Sequence, residues 1–350
     1  MPGTRANPRG QSVLFWCLIW FAVLQLAIGF VLDRQVLDLR FAILKPNLEL
    51  LSRRPSPEIV CIGSSRSGSS ICDSELTRAM RLLTGDSSLR TFNSAFPVGD
   101  VVATEFAINR MLDQGCRPQL VVLELVPEEV ARTNCWTTEH LRRQLTWSDL
   151  GEHLRSLMVT GNSGRLLLSR ALPAYYFRTE ICQAIVFRPE PPVLTAANYE
   201  GGEEAEDGSA LDWSKLLVPA PASDIEARTR AGIYGLERDL LGYQVGGPSV
   251  RALERTITRL QSVGARVVLL GVPLASAHRA VYLPEIEMKF QAYLADLQVE
   301  FGVPYIDCRD ALPDECFLDH HHASFAGAVR FSPHFAEQHL APLWRTIRDR

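Results

Sequence analysis

The longest apolar stretch of the chain lies close to its N-terminus. From Val13 to Leu32 every residue is apolar except Gln25, and the tail before it is polar. Twenty helical residues at about 1.5 Å each span the roughly 30 Å hydrocarbon core of a bilayer. A cleavable signal has a shorter apolar core followed by small residues, whereas an acidic and a basic residue follow here. The pattern therefore predicts a retained transmembrane anchor over residues 12–32; a cleaved signal and a buried core helix are the alternatives.

Beyond residue 57 the apolar positions form short blocks that alternate with longer amphipathic stretches. The blocks are rich in β-branched residues and predict strands, and the stretches predict helices. Strands that alternate with helices are typical of βαβ units and a mostly parallel sheet, so the fold class is α/β. The predicted strands are Glu58–Ile62, Leu89–Asn93, Leu120–Leu125, Ala265–Leu270 and Pro304–Asp307. The predicted helices are Ser74–Leu83 with Asp73 as its N-cap, Asp100–Leu112, Ser249–Val263, Pro284–Phe301, and Ser324–Ile347 bent at Pro333.

The alternation of strands and helices breaks at about residues 131–247. This region is rich in aromatic residues and contains the acidic stretch Glu200–Gly208, which predicts a solvated loop. We predict an insertion that covers one end of the sheet, where an acceptor molecule would bind. The predicted organisation is a polar tail over 1–11, the anchor over 12–32, a juxtamembrane connector over 33–57, and the α/β domain over 58–350.

Charge and cysteine content narrow the function classes. The formal charge is −4 and no basic cluster with interleaved aromatic residues occurs, which argues against a nucleic-acid partner. The eight cysteines include no C-x-x-C pair, so a structural zinc site is not indicated. A single N-terminal anchor favours an exported domain, periplasmic or extracellular, in which Cys308 and Cys316 could form a disulfide.

A serine-rich loop follows the first predicted strand. Loops at the carboxyl ends of parallel strands hold the ligands of α/β folds, and Gly63–Ser70 is such a loop. Ser65 is the candidate nucleophile, although Ser67 stands where a G-x-S-x-G elbow would have its second glycine. A flexible polar turn is the alternative interpretation.

A short histidine run near the C-terminus supplies the matching candidate base. A serine hydroxyl needs an imidazole to accept its proton and a third group to hold the tautomer of that imidazole. Asp319 and His322, three residues apart, could provide both from one turn of chain. The run over 319–322 could instead ligate a metal ion, with His334 as a further partner, or lie unused in a solvated loop.

Together the two segments resemble the SGNH/GDSL hydrolase family. In that family the nucleophile follows the first strand in a Gly-Asp-Ser block, and a D-x-x-H block near the C-terminus precedes a helix with a Gly-Ala pair. This chain has Gly63-Ser64-Ser65, Asp319-x-x-His322 and Gly327-Ala328 in that order. The resemblance covers residues 58–130 and 249–348. It implies a three-layer α/β/α fold in which Ser65 is the nucleophile, His322 the base and Asp319 the orienting carboxylate.

The chain departs from the family pattern on the oxyanion side. Ser64 stands in place of the block-one aspartate, and Val126-Pro127-Glu128-Glu129 stands where the family has Gly-x-Asn-Asp. Loss of one oxyanion donor typically costs about 3 kcal/mol of transition-state stabilisation. The predicted donors are the amides of Ser65 and Ala95, with Gly99 and Asn93 as further candidates. The side chain of Asn93 or of Arg66 could replace the absent asparagine donor.

The predicted function is serine-dependent ester hydrolysis or O-acyl transfer through an acyl-enzyme, without a cofactor and without a metal ligand. The resemblance implies an acyl ester or a cell-surface polysaccharide as substrate, and the segment 12–32 implies a membrane partner. The first alternative is a catalytically inactive, membrane-anchored scaffold in an envelope assembly. The second is a metal-dependent hydrolase that uses the histidine run.

Overall fold

The computed structural model describes residues 8–41, 44–53, 55–97, 99–132, 146, 163–186 and 221–348. The chain divides into two compact units, Met1–Ala42 with Arg142–Glu190, and Ile43–Leu141 with Pro191–Arg350. The acidic stretch Glu200–Gly208 and most of the predicted insertion lie outside the described residues.

The first unit is helical. Its first helix is long and apolar enough to cross a membrane, with a mean hydropathy of 2.3 in an 18-residue window of Ser12–Arg34, a test that a signal sequence also passes. Gln25, the one polar residue in the apolar run, is buried and its Oε1 accepts a hydrogen bond from the Ala174 amide at 3.2 Å. A π-helical turn, Val36–Arg40, follows the first helix. The helices of this unit are α1 (Pro8–Arg34), α6 (Ser163–Ala171), α7 (Pro173–Tyr176) and α8 (Arg178–Val186).

The second unit is α/β with a five-stranded, all-parallel sheet in the order β2-β1-β3-β4-β5. Its strands are β1 (Ile59–Ile62), β2 (Thr91–Asn93), β3 (Leu120–Glu124), β4 (Arg266–Gly271) and β5 (Tyr305–Asp307). Its helices are α2 (Lys45–Arg53), α3 (Ser65–Ser70), α4 (Asp73–Thr84), α5 (Val101–Asp113), α9 (Ala222–Asp239), α10 (Gly247–Ser262), α11 (Ser276–Arg279), α12 (Pro284–Phe301), α13 (Phe325–Phe335) and α14 (Ala341–Arg348). All five predicted strands are observed.

The sheet is buried on both faces. Successive side chains of a strand point to opposite faces, and all four residues of β1 are at most 1% exposed. One face packs in a continuous apolar core with residues of α4, α13 and α14, among them Leu76, Phe331 and Trp344. Strands covered on both faces have near-continuous apolar sequences, which is the pattern of Leu120–Leu125.

Helix ends depart from the sequence prediction by a residue or a turn. Asp73 is the first residue of α4 rather than its N-cap, which is Cys72, because its carboxylate accepts a hydrogen bond from the Thr91 hydroxyl at 2.7 Å. The predicted last helix is interrupted after Pro333 by a π-helical turn, Ala336–Leu340. A proline lacks the amide that a regular helix needs, so a wider turn follows it. Cys308 and Cys316 are both free thiols, so the possible disulfide between them is not formed.

The strand order places β1 beside β3 at the point where the direction of strand addition along the sheet reverses. Chain progression runs outward from β1 to β2 on one side and from β3 to β5 on the other. Open α/β sheets bind ligands in the crevice outside the carboxyl ends of the strands at such a switch point. The residues that follow β1 and β3 therefore lie where a functional site is expected.

Candidate functional site

Ser65 is placed by the junction between β1 and α3. Ser64 is the N-cap of α3, and its hydroxyl accepts a hydrogen bond from the Arg66 amide at 3.1 Å. A serine at this position satisfies one of the amide groups that the first helical turn leaves without a partner. Ser65 is then the first helical residue, directly beyond the strand end.

Gly63 makes the junction possible by close approach. A Cβ at this position would lie 2.4 Å from Oε2 of Glu124 and 2.5 Å from its Cβ. Gly63 is not among the described glycines with positive φ, so a left-handed backbone conformation is not the reason for it. The glycine is needed because the last residue of β3 packs directly against it.

The second segment is a loop that Asp319 holds in shape. Its Oδ1 accepts hydrogen bonds from the amides of His321 and His322, each at 2.8 Å. Such a side-chain turn is typical of aspartate. The loop is closed by a bond from the Leu318 amide to the His322 carbonyl, 2.8 Å, and Ser324 then caps α13.

The structure brings Ser65, His322 and Asp319 together as a hydrogen-bonded chain. The Ser65 Oγ lies 2.8 Å from Nε2 of His322, and the His322 Nδ1 lies 2.7 Å from Oδ2 of Asp319. The side chains of His322 and Asp319 are 18% and 17% exposed, so solvent or a substrate can reach them. This order of groups allows the serine to lose its proton to the imidazole while the carboxylate stabilises the imidazolium.

The carboxyl group of Asp319 is ionised under ordinary conditions. Burial opposes its ionisation, but the hydrogen bond and charge of His322, with the two loop amides, lower its pKa to about 2. An ionised carboxylate accepts the Nδ1 proton of His322 and so leaves Nε2 free to accept the serine proton. Asp319 thus holds His322 in the tautomer with the proton on Nδ1, which proton abstraction from Ser65 requires.

The predicted oxyanion donors are placed less favourably. The Ala95 amide donates to Oδ1 of Asn93 at 3.1 Å, and the Gly99 amide donates to the Phe96 carbonyl at 3.2 Å. The side-chain amide of Asn93 is buried and donates to the Ile71 carbonyl at 2.8 Å. Among the described residues, no acceptor takes the amide of Ser65. Of the four predicted donors, Ser65 alone therefore offers a free N–H.

A buried ionic cluster occupies the segment that the SGNH/GDSL resemblance would assign to a Gly-x-Asn-Asp block. Glu124 ends β3, and Glu128 and Glu129 lie on the 3₁₀ turn Pro127–Val130. The guanidinium of Arg66 donates to Glu124 and to Glu129, each at 2.7 Å, and to Glu128. Because these ion pairs occupy its N–H donors, Arg66 does not serve as the substitute oxyanion donor that the sequence suggested.

The serines of the first loop complete this cluster. Oε1 of Glu124 accepts the Ser64 hydroxyl at 2.7 Å, and Oε2 accepts the Ser64 amide at 2.7 Å and the Ser67 hydroxyl at 2.6 Å. Ser64 and Ser67 are 6% and 2% exposed. The flexible polar turn considered from sequence is therefore wrong, because these serines are the buried partners of a carboxylate.

The three carboxyl groups of the cluster differ in how strongly their ionisation is favoured. Burial opposes ionisation of Glu124 and Glu128, but the charge of Arg66 and the surrounding hydrogen bonds lower the pKa of both. Burial raises the pKa of Glu129 well above its ordinary value, and the neighbouring Glu124 raises it further. Three carboxyl groups thus share one guanidinium, and the cluster has a net negative charge.

Glu128 links this cluster to histidines that the sequence left without a role. Its Oε2 accepts the Tyr282 hydroxyl at 2.6 Å, and His278 Nε2 lies 2.9 Å from the same hydroxyl. The His278 ring stacks on His320 with centroids 5.2 Å apart, and His320 Nε2 lies 2.6 Å from Nδ1 of His321. Burial lowers the pKa of His320 to about 4, with a further contribution from His278, and lowers that of His321 well below its ordinary value.

Two of these features left some signal in the sequence, and one left none. Glu124 is the only charged residue in an otherwise apolar predicted strand, which indicates a buried partner. Adjacent Glu128 and Glu129 directly after that strand indicate a site at the strand end. His278, by contrast, lies more than forty residues before the histidine run, and only the fold brings it there. His334, the partner considered from sequence, is exposed on α13.

No protein-family model matches this chain, and no curated protein matches it.

Proposed function

We propose that this protein is a serine-dependent esterase or O-acyltransferase with Ser65 as nucleophile. The observation that carries the proposal is the hydrogen-bonded chain from the Ser65 Oγ to His322 Nε2, 2.8 Å, and from His322 Nδ1 to Asp319, 2.7 Å. Two segments more than 250 residues apart meet in the arrangement that activates a serine. We also propose that the chain has the three-layer α/β/α fold of the SGNH/GDSL family, whose sequence blocks these two segments resemble.

The chemistry follows the order of the groups. The Ser65 oxygen attacks the ester carbonyl carbon while its proton passes to Nε2 of His322, and the charged imidazole is stabilised by Asp319. The tetrahedral intermediate then collapses, and His322 returns the proton to the departing alcohol, which leaves an acyl group on Ser65. Water or a sugar hydroxyl, deprotonated by His322, attacks this ester and releases free acid or the acylated acceptor.

One oxyanion donor is available in this mechanism, and a second requires a local rearrangement. The Ser65 amide lies in the first turn of α3, where amide groups have no helical acceptor. The Gly99 amide would have to leave the Phe96 carbonyl, a 3.2 Å bond within a loop. We propose Gly99 rather than Ala95 as the second donor, because Asn93 holds the Ala95 amide from a fully buried position.

The substrate class rests on the resemblance and on α1. Anchored, divergent members of the SGNH/GDSL family are often tied to the modification of cell-surface polysaccharides, and α1 is long and apolar enough to hold the domain at a membrane. We therefore propose an exported, single-pass protein that acts on an acyl ester of a surface polysaccharide. The acceptor would bind at the carboxyl ends of β1 and β3.

The test is labelling of the full chain, purified in detergent, with a fluorophosphonate probe and mapping of the modified peptide. We expect stoichiometric labelling of Ser65, and loss of labelling in Ser65→Ala and His322→Ala. The control variant is Ser88→Ala, which changes an exposed serine whose hydroxyl donates to Asp86 and which should label as wild type does. A protein that unfolds cooperatively on heating but stays unlabelled at Ser65 would exclude the activated serine.

A non-catalytic, membrane-anchored scaffold is the second candidate, and one observation favours it. The amides of Ala95 and Gly99 are occupied, and the position of the family's oxyanion block holds a cluster of net negative charge. Negative charge close to a developing oxyanion opposes its formation. This candidate predicts a folded protein with no labelling at Ser65 and no turnover of aryl esters at any pH between 6 and 9.

A further inference from the structure

Three imidazoles converge beside the Ser65–His322–Asp319 set. One ring nitrogen from each of His278, His320 and His321 lies within 4.8 Å of those from the other two. His278 and His320 are 2% and 6% exposed. They come from two separate segments, α11 and the loop before α13, and the proposed ester chemistry uses none of the three.

Two ring nitrogens of this cluster lack the hydrogen bond that a buried polar atom normally has. Nδ1 of His278 and Nδ1 of His320 are buried, and within the part of the chain that the structure describes neither has a partner. An unsatisfied buried nitrogen costs about 1–3 kcal/mol, so an arrangement that keeps two of them close together needs a cause. A ligand that both nitrogens bind would supply that cause.

The other nitrogen of His278 is already held by groups that orient a metal-binding histidine. His278 Nε2 lies 2.9 Å from the Tyr282 hydroxyl and 3.4 Å from the Glu128 carboxylate. A carboxylate or hydroxyl at the far nitrogen fixes the tautomer and raises the basicity of the near one. With the proton on Nε2, Nδ1 is the nitrogen that keeps a free lone pair.

We propose that His278, His320 and His321 form a binding site for a divalent transition metal ion of the zinc class. Three neutral imidazoles with one open position are a donor set that zinc accepts at about 2.0–2.1 Å. Nitrogens bound tetrahedrally at that length lie roughly 3.4 Å apart, so the site must contract from its present spacing. His321 must also give up its 2.6 Å contact with His320 to supply the third nitrogen.

The second group of potential ligands, Asp319 with His321 and His322, is the weaker site. The Asp319 oxygens already accept bonds from two amides and from His322 Nδ1, and His322 Nε2 contacts Ser65. An ion there would have to displace all of these contacts. The site at His278 breaks only one contact and satisfies two buried nitrogens.

Helix α9 packs against one ring of this cluster. A Cβ at Gly232 would fall 2.0 Å from Cε1 of His320, so the glycine backbone lies directly against the ring. An ion at the site would join the loop that carries Asp319 and His322 to the segment after β4. The expected consequence of metal binding is a gain in thermal stability, which requires no enzymatic activity.

The test is metal binding by the full chain in detergent after treatment with a chelator. Titration with Co²⁺ should produce the visible absorption of a four-coordinate site at one ion per chain, and Zn²⁺ should displace it. X-ray absorption of the zinc-loaded wild type should give three imidazole ligands. We expect His278→Asn and His320→Asn to weaken Zn²⁺ binding by at least about 100-fold and to abolish the increase in Tm on addition of Zn²⁺.

The control variant His334→Asn changes an exposed histidine outside the cluster and should bind Zn²⁺ as wild type does. Three results would each overturn the proposal: no stoichiometric binding by wild type, full binding by His278→Asn, or binding lost in His322→Ala but kept in His278→Asn. The last result would place the ion on the Ser65–His322–Asp319 set.

If a histidine variant fails to fold, the ligand count from X-ray absorption of wild type decides. Fluorophosphonate labelling of Ser65 is scored separately, so failure of either proposal is visible without the other.

Discussion

The two sides of the site, the His322 side and the Arg66 side, are built on different principles. On the His322 side, partly exposed groups are joined in a single line of hydrogen bonds that ends at the Ser65 oxygen. On the Arg66 side, a guanidinium whose side chain is 11% exposed is enclosed by carboxylates whose side chains are 1%, 15% and 6% exposed. The first arrangement can move a proton, whereas the second holds charge in place.

The comparison implies that substitutions on the two sides have different effects. Removal of a group on the His322 side should change the rate and leave stability nearly intact, because the groups there can be resolvated. Removal of a group on the Arg66 side should change stability first, because it leaves buried charge without its partner. The variants below test that contrast, from the largest expected effect to the smallest.

His322→Ala should lower turnover of an activated aryl ester by roughly 10⁶-fold, as expected when the base of a serine mechanism is removed. Its thermal unfolding should stay close to that of wild type. The control is His339→Ala, which alters a histidine of the C-terminal π-helical turn and should leave turnover unchanged. Equal rates for His322→Ala and wild type would remove the distinction between the two sides.

Asp319→Asn should lower the same turnover by about 10⁴-fold, because an amide favours the wrong imidazole tautomer. The matched control is Asp314→Asn. Its carboxylate accepts a hydrogen bond from the amide of Ser276, the first residue of α11, and the described bonds of His322 do not include it. The measurement is steady-state kinetics of both variants. A wild-type-like KM in both, with a lower kcat in Asp319→Asn alone, would locate the effect in the chemical step. A normal rate in Asp319→Asn would show that Asp319 does not orient the base.

Arg66→Met should destabilise the protein by about 3–5 kcal/mol, the usual cost of leaving buried carboxylates without their cation. The measurement is denaturant-induced unfolding of the full chain in detergent. Raising the proton concentration should reduce the loss, because protonation of Glu124 and Glu128 removes the unpaired charge. A loss below 1 kcal/mol would show that the cluster does not stabilise the fold.

Gly63→Ala should cost about 1–3 kcal/mol, as overpacking does, because its methyl group would lie 2.4 Å from the Glu124 carboxylate. The control is Gly235→Ala on α9, where no atom lies within 4 Å of the new Cβ. That change should stabilise the protein by about 0.5–1 kcal/mol. If both variants are equally stable, Glu124 does not pack as tightly as the structure has it.

Arg78→Met should have the smallest effect, within about 0.5 kcal/mol of wild type. Its side chain is 72% exposed and its ion pair with Glu75 joins neighbouring turns of α4. It is the matched arginine control for Arg66→Met in the same unfolding measurement. A cost similar to that of Arg66→Met would mean that burial does not distinguish the two ion pairs.

Much of the fold and half of the site could be predicted from the sequence. The five strands, the apolar N-terminal helix and the Ser65, Asp319 and His322 segments follow from local periodicity and short spacing. The Arg66 cluster and His278 could not be predicted, because their contacts join residues 42 to 63 positions apart and depend on the strand order. The sequence shows that Glu124 is a charged residue in an apolar strand. Only the register of β1 against β3 shows which residues its carboxylate contacts.

The bonds between Ser64 and Glu124 also restrict which substitutions the chain can accept one at a time. An aspartate at position 64, as in the Gly-Asp-Ser block of the SGNH family, would put a second carboxylate where the Ser64 hydroxyl now lies 2.7 Å from Glu124. That change becomes tolerable only after Glu124 is replaced by a neutral side chain, which would in turn leave Arg66 with fewer partners. The three positions therefore form one mutational unit, because a change at any one of them leaves a buried group of the others without its partner.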